Sequence, residues 1–169
     1  IPLEDLDQIY HEILFRKKKL SVMQSYAMKA GNNNNSYIHN FAKAYLMALF
    51  SNNIMSKGKK KAQELAKEVF PWLIEMSSTQ SHADTEEAPS TTKNAFSAEN
   101  VLKYVYYLLG IYYTTHLSAK THEEEIGIIY FQQAIELGYH PAYCNLGVCY
   151  IKGNGVPKDF TKGFECFLK

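Results

Sequence analysis

Residues 142–169 read AYCNLGVCYIKGNGVPKDFTKGFECFLK, and this stretch specifies two helices and the turn between them. The proline just before it suits a first helical turn, because its missing N–H would have had no partner there. Gly153 and Gly155 supply the positive φ values at which a helix ends, and Val156-Pro157 fixes an extended step that cannot continue it. The chain must then turn back, so the stretch predicts an antiparallel helical hairpin.

Each helix of this hairpin carries an apolar stripe at three- and four-residue steps. The first stripe has two aromatic residues, a leucine and a glycine that would let a second helix approach closely: Tyr143, Leu146, Gly147 and Tyr150. The second stripe follows Asp159, whose carboxylate suits the first turn of a helix. Its predicted buried residues are Phe160, Gly163, Phe164 and Phe167. We expect Gly147 to lie under the aromatic side chains of this second helix.

The hairpin also carries a spaced pattern of several residue types, Leu146-Gly147-x-x-Tyr150-x-x-Gly153-x-Gly155-Val156-Pro157-x-Asp159-x-x-Lys162-Gly163. This pattern resembles a Sel1-like repeat, a relative of the tetratricopeptide repeat. It departs from the family at Gly163, where alanine is usual, and at Cys166, near a position that is usually aromatic. The resemblance implies an all-α fold, an α-solenoid of antiparallel helical hairpins that form a superhelix.

A divergent copy of the repeat precedes the regular one. Aligning Leu109-Gly110 with Leu146-Gly147 gives an offset of 37 residues (147 − 110), close to the ~34 of tetratricopeptide arrays. This copy, at about 96–138, lacks the Gly-x-Gly-Val-Pro connection, so it resembles the family only in its helices. The residues that we expect to hold the two repeats together are Leu109, Gly110, Leu146, Gly147, Tyr150, Gly153, Gly155 and Asp159.

Composition predicts three regions. Residues 1–76 carry helical stripes, first as one long helix or two short ones, then as a pair at 36–55 and 58–76 that we interpret as a degenerate repeat. Pro71 should kink the last of these helices or make it restart. Residues 77–95 contain hardly an aliphatic side chain and are predicted to form a flexible polar loop. The Sel1-like part, residues 96–169 with the regular repeat at 141–169, is expected to continue beyond this sequence.

The net charge is close to zero, because the chain has 18 Lys and Arg and 17 Asp and Glu. The overall charge therefore does not indicate a class of partner, and nucleic acid is not expected to bind. No apolar run reaches the roughly 18 residues that a membrane span requires. Three cysteines without a Cys-x-x-Cys pair predict free thiols and favour a reducing, cytoplasmic compartment. Because the sequence begins with isoleucine, the endoplasmic reticulum lumen and secretion stay open.

The sequence contains no recognisable catalytic motif. It lacks a phosphate-binding Gly-Lys-Ser/Thr loop, a His-Glu-x-x-His helix and paired cysteines, and its six histidines are scattered singly. We therefore predict no catalytic residue, no metal ligand, no cofactor and no enzymatic activity of this chain itself.

The analogy with tetratricopeptide arrays places a binding surface on the first helix of each hairpin, at positions that line the concave face. Carried onto this sequence, those positions are Tyr104, Tyr107, Ile111 and Thr114 in one copy and Cys144, Asn145, Val148 and Ile151 in the next. Such a groove would be apolar and rich in tyrosine, with an amide that can hydrogen-bond an extended peptide. The alternative is that an adjacent repeat covers these side chains.

Two functional hypotheses follow from the sequence. Stacked hairpins expose a long concave surface, which favours a scaffold or adaptor that binds a partner protein or peptide. Further repeats of the same chain could also pack against the last hairpin. The alternative function is a regulatory or targeting arm of a larger enzyme whose catalytic domain lies outside this sequence.

Overall fold

Helices account for all of the regular structure in the part of the chain that the structure describes. The computed structural model describes residues 2–16, 20–28, 36–52, 58–78, 98–115, 117 and 123–169, and no strand occurs among them. The predicted all-α class is therefore confirmed. The eight helices are α1 (Leu3–Arg16), α2 (Ser21–Met28), α3 (Ser36–Ser51), α4 (Lys59–Ser78), α5 (Ala98–Thr114), α6 (Glu124–Glu136), α7 (Ala142–Lys152) and α8 (Phe160–Phe167).

The chain separates into two compact units, Ile1–Trp72 and Leu73–Lys169, which we call unit 1 and unit 2. The division falls inside α4, whereas the sequence analysis placed a boundary at residue 76. Ser77 and Ser78, predicted to open the polar loop, are the last two residues of α4, and both hydroxyls donate hydrogen bonds to the carbonyl of Ile74. The rest of the predicted loop, from residue 79, lies outside the described residues.

Unit 1 is built around the aromatic side chains of α1 and α3. Tyr45 of α3 is fully buried, and its hydroxyl donates a hydrogen bond of 2.8 Å to Oδ1 of Asp7 in α1. Its ring lies 4.9 Å from that of Tyr10, also in α1, measured between centroids. One turn earlier on α3, Phe41 packs edge-on against Trp72 of α4 at 4.9 Å. These contacts place α1 and α4 against α3.

The helices of unit 1 match one prediction and narrow another. The two short helices that the sequence allowed before residue 30 are observed as α1 and α2. At Pro71 the sequence predicted a kink or a restart. The helix does not restart, because α4 runs from Lys59 to Ser78 through that residue, and the kink stays a prediction. The degenerate repeat at 36–76 stays a prediction.

Unit 2 contains the two Sel1-like copies as successive helical hairpins. Helix α5 packs on α6, α6 on α7, and α7 on α8. The core of the first hairpin includes Leu108, Leu109 and Phe131, none of which is exposed. The antiparallel stacking predicted from the repeat pattern is therefore present, and it determines which faces of α7 and α8 remain accessible.

Candidate functional site

Glycines lie where the two helices of each hairpin of unit 2 cross. A Cβ at Gly110 of α5 would lie 2.5 Å from Cδ1 and Cε1 of Phe131 in α6. A Cβ at Gly127 of α6 would lie 2.6 Å from Cγ2 of Thr114 and 3.0 Å from the carbonyl oxygen of Gly110. Real Cβ atoms do not approach other atoms so closely, so only glycine permits this approach of α5 and α6.

The second hairpin crosses in the same way. A Cβ at Gly147 of α7 would lie 2.9 Å from the carbonyl oxygen of Gly163 in α8 and 2.8 Å from Cε1 of Phe167. A Cβ at Gly163 would in turn lie 2.7 Å from Cγ1 of Ile151. The close approach predicted at Gly147 is therefore present.

An aromatic side chain of α8 covers Gly147, as expected, and it is that of Phe167. The predicted burial of the α8 stripe is wrong in its other members: Phe160 and Phe164 are more than half exposed, Phe167 is 42% exposed, and only Gly163 is buried. Helix α8 packs on α7, and Gly163 lies on the face that makes this contact.

The connection between α7 and α8 has the backbone that its glycines predict. Gly153 (φ 69°) and Gly155 (φ 75°) adopt positive φ, and Gly153 caps α7 in the left-handed conformation. Asp159 is the N-cap of α8, and its side chain accepts a hydrogen bond of 3.0 Å from the backbone N–H of Lys162. The local chemistry of the turn therefore follows from the sequence, with Asp159 one position before the first helical turn that we assigned it.

The same connection also contacts the first hairpin, and the sequence analysis did not predict this contact. Nδ2 of Asn154 donates a hydrogen bond of 2.7 Å to the carbonyl oxygen of Thr114, at the end of α5. The last carbonyls of a helix have no partner within it, so Asn154 satisfies one of them. A Cβ at Gly155 would lie 2.6 Å from the carbonyl oxygen of Glu124, at the start of α6. Gly155 is the residue of the sequence that could have indicated this contact. The sequence analysis explains it only by the positive φ that the turn requires.

Four of the eight predicted concave-face residues are core residues in the structure. Tyr104, Tyr107, Ile111 and Thr114 are all buried, with Tyr107 only 1% exposed. The rings of Tyr104 and Tyr107 lie 5.5 Å and 4.8 Å from that of Tyr139, which precedes α7. The residues leading into the second hairpin thus cover the face of α5, as in the alternative derived from the sequence. These four side chains therefore expose little surface to a partner in this structure.

The other four predicted residues lie on α7 and are accessible to different degrees. Cys144 and Val148 are exposed, while Asn145 and Ile151 are half-buried. Along the sequence these residues follow one another at steps of one, three and three positions, so they lie on one side of the helix. This group, which we call the α7 face, combines two apolar side chains, a thiol and an amide.

The partly exposed aromatic cluster of unit 2 is a packing feature. Tyr130 of α6 lies between Tyr106 and Tyr113 of α5, with ring centroids 5.8 Å from each. Burial, followed by the nearby Tyr130 and Glu123, raises the pKa of Tyr113 to about 12. Its hydroxyl therefore stays protonated at neutral pH.

The buried thiol of Cys149 is poorly suited to nucleophilic chemistry. Burial raises the pKa of the Cys149 thiol to about 11, so this group is not a thiolate nucleophile at neutral pH. Among the described residues, no three His, Cys, Asp or Glu side chains are grouped so that they could hold a metal ion. Nor is any described helix both long and apolar enough to cross a bilayer.

Comparison with known proteins identifies the repeats. The family model of the Sel1 repeat matches residues 104–139 and 140–169, which include α5 from Tyr104 onward and all of α6, α7 and α8. Comparisons with curated proteins and with solved structures gave no match. The glycine crossings, the stacked hairpins and the two family matches agree, and residues 104–169 form two Sel1-like repeats.

Proposed function

We propose that the chain is a protein-interaction scaffold and that the α7 face binds a partner protein or peptide. Sel1 repeats in general mediate protein–protein interaction, which supports the scaffold role. The finer assignment concerns Cys144, Asn145, Val148 and Ile151. Unlike their counterparts in α5, these residues include side chains that a partner can reach without disturbing the fold.

The comparison of Val148 with Ile111 carries this assignment. The two residues occupy equivalent positions, 37 residues apart (148 − 111), and both are β-branched aliphatic residues. Ile111 is 3% exposed, whereas Val148 is 41% exposed. The same apolar position is therefore covered in one repeat and accessible in the other. Complete burial of a fully exposed aliphatic side chain contributes about 1.5–3 kcal/mol, so the partly exposed Val148 would contribute less than this on binding.

Asn145 could orient a bound peptide on this surface through hydrogen bonds to its backbone. Its amide can donate a hydrogen bond to a backbone carbonyl and accept one from a backbone N–H. Beside an apolar residue such as Val148, that combination suits an extended segment with an aliphatic or aromatic side chain between two peptide groups. An acidic tail would find no cation among the four residues of the α7 face.

Partner capture with a matched pair of exposed aliphatic positions tests the proposal. The purified chain carrying Val148→Asp should lose a partner that the wild type captures, because a carboxylate would be buried at the contact. Ile129→Asp is the control, since Ile129 of α6 is 54% exposed and lies outside the α7 face. Mass spectrometry of both eluates should show proteins that depend on Val148 and not on Ile129.

Two results would contradict the proposal. One is equal capture by wild type and Val148→Asp. The other is loss of capture on charge reversal at Lys59, Lys60 and Lys61, with normal capture by Val148→Asp and Asn145→Ala. That pattern would assign the partner to the basic start of α4.

A further inference from the structure

Besides packing α6 on α5, three tyrosines of these helices are partly exposed. Tyr130 of α6 lies between Tyr106 and Tyr113 of α5, and the planes of the Tyr130 and Tyr113 rings differ by only 11°. All three side chains are half-buried. We call Tyr106, Tyr113 and Tyr130 the tyrosine ladder. Two helices thus contribute aromatic rings to one partly accessible surface.

The second hairpin shows what such a tyrosine can bind. Tyr150 of α7 is the equivalent of Tyr113, at the offset of 37 residues between the two first helices (150 − 113). Nζ of Lys162 in α8 lies 5.8 Å from the ring centroid of Tyr150. This distance is within the range at which an ammonium group is attracted to the face of an aromatic ring.

The first hairpin has the tyrosine but a different residue in place of the lysine. The second helices of the two hairpins are offset by 36 residues, since their crossing glycines are Gly127 and Gly163 (163 − 127). Their N-caps, Glu123 and Asp159, have the same offset. The equivalent of the α8 lysine is therefore Ile126, and α6 contains neither lysine nor arginine.

The two hairpins also differ in charge. Helices α5 and α6, with the N-cap Glu123, carry one lysine and five carboxylates (1 − 5 = −4), whereas residues 142–169 carry four lysines and two carboxylates (4 − 2 = +2). One of these carboxylates acts on the ladder itself: burial, then Tyr130, then Glu123 raise the pKa of Tyr113. A cation at the ladder would therefore be attracted by the aromatic rings and by the negative charge around them.

We propose that the tyrosine ladder binds a basic segment of a partner protein. A lysine or arginine side chain of that segment lies against the rings of Tyr113 and Tyr130, beside Glu123. Its cation corresponds to the ammonium group of Lys162 in the second hairpin. The ladder is a different surface from the α7 face, and this contact does not require the α7 face to bind anything.

The place of the ladder in the chain distinguishes it from a surface that a further repeat would cover. Helix α7 already packs on α6. Burial raises the pKa of Tyr130, and hydrogen bonding with Ser77, near the end of α4, acts in the opposite direction, so the end of α4 lies close to this ring. The first hairpin thus has described neighbours before and after it in the chain, and the ladder is half-buried beside them.

A single-stranded nucleic acid fits the ladder less well. Its bases can stack on aromatic rings, but its binding also depends on positive charge that follows the phosphates. The net charge of α5, α6 and Glu123 is negative and would repel them. A basic protein segment is therefore the occupant that the observations favour.

Titration with a basic peptide tests the proposal. The full chain, with carbon-13 in its tyrosine rings, is mixed at low ionic strength with a peptide of four arginines or, as the reference, of four glutamates. The nuclear magnetic resonance signals of Tyr106, Tyr113 and Tyr130 should shift and saturate with the arginine peptide only. No shift at millimolar peptide would overturn the proposal, whether the rings bind no cation or another part of the chain covers them.

Two isoleucines of α6 provide a matched pair of variants. Ile126→Lys introduces the lysine that the second hairpin has at this position, and its ammonium group should compete with the peptide for the ladder. Ile129→Lys makes the same change of charge at another exposed isoleucine of the helix. The dissociation constant of the arginine peptide should be about two- to fivefold higher in Ile126→Lys than in Ile129→Lys. Equal values would overturn the proposal.

Substitutions within the ladder provide a second test. Tyr113→Leu removes an aromatic ring, and Glu123→Gln removes a charge while it keeps the shape of the side chain. Each should weaken binding of the arginine peptide about two- to fivefold without loss of helical circular dichroism. Tyr143→Leu, at the half-buried equivalent of Tyr106 in α7, should bind as the wild type does. Wild-type affinity in Glu123→Gln and in a folded Tyr113→Leu would contradict the assignment.

Two other occupants are further outcomes of the test. Shifts of the ladder signals with oligouridylate and not with the arginine peptide would overturn the proposal in favour of a nucleic acid. Concentration-dependent dimerisation that disappears in Tyr113→Leu would overturn it in favour of a second copy of the chain. Because none of these assays involves Val148, their outcomes are independent of the capture experiment on the α7 face.

Discussion

The two hairpins of unit 2 share one backbone plan and differ in what covers them. Both cross through paired glycines, and both place a phenylalanine of the second helix over the glycine of the first. In the first hairpin the apolar side chains beside this crossing are buried by the residues that follow. In the second hairpin the equivalent side chains are accessible. Burial in a repeat protein thus depends on the neighbouring hairpin as much as on the residue itself.

The largest expected difference in stability is between alanine substitutions at Tyr107 and Cys144, which occupy equivalent positions in the two repeats (144 − 107 = 37). Tyr107→Ala removes a ring that packs on Tyr139 and Phe131 in the core. By analogy with other large aromatic truncations, it should destabilise the protein by about 3–5 kcal/mol. Cys144→Ala, at an exposed position, should change stability by less than about 0.5 kcal/mol. Urea denaturation of both variants measures the difference, and similar losses would mean that α5 and α7 are equally covered.

Leucine at the two crossing glycines should give the next largest difference. Gly110→Leu forces a side chain into the ring of Phe131, which is fully buried and cannot move. Gly147→Leu meets Phe167, whose ring is partly exposed and can rotate away, although the backbone of Gly163 cannot. Overpacking typically costs about 1–3 kcal/mol, so Gly110→Leu should lie at the upper end and Gly147→Leu below it. Thermal melts test the order, and an unchanged melt of Gly147→Leu would show that α7 and α8 do not close there.

Removal of the hydrogen bond from Asn154 to Thr114 should lower stability by a smaller but measurable amount. Asn154→Ala leaves the carbonyl of Thr114 without its amide donor and should cost about 1–2 kcal/mol. Asn154→Asp keeps the size of the side chain but removes the donor, so it should lose as much stability as the alanine variant. If Asn154→Asp is as stable as wild type in urea denaturation, the amide donor contributes nothing.

The smallest effect at neutral pH concerns Tyr113. Because its pKa is about 12 in the folded protein and about 10 in an unfolded chain, the neutral form is favoured by folding. This contribution to stability is complete below pH 10 and is lost as the pH rises through 12. Tyr113→Phe should therefore flatten the alkaline loss of stability between pH 10 and 12. The difference in phenolate absorbance between wild type and variant should titrate near pH 12; a difference near pH 10 would contradict the burial of this hydroxyl.

The sequence predicts the local structure of unit 2 well, because the determinants are local. Positive φ at Gly153 and Gly155 and the position of Asp159 at the start of α8 follow from backbone chemistry within a few residues. The crossing at Gly147 follows from the absence of a side chain in an apolar stripe.

The accessible surface could not be predicted in the same way. Tyr107 and Cys144 occupy the same position in the repeat pattern, but the ring of Tyr107 packs against Phe131 and Tyr139, 24 and 32 residues further along the chain (131 − 107 and 139 − 107). Phe164 was predicted to be buried because its spacing matches a helical stripe, but spacing does not state whether a partner helix is present. The binding role of the α7 face stays a prediction for the same reason.

The hydrogen bond from Asn154 to Thr114 also bears on how the chain acquires its structure during synthesis. The ribosome releases α5 and α6 before α7. The carbonyl of Thr114 is therefore hydrated, without its hydrogen bond from Asn154, until some 40 further residues have emerged. Until Tyr139 has also emerged, the rings of Tyr104 and Tyr107 lack their contacts with it. The second hairpin thus completes the first, and a chain truncated before Tyr139 should be a substrate for degradation.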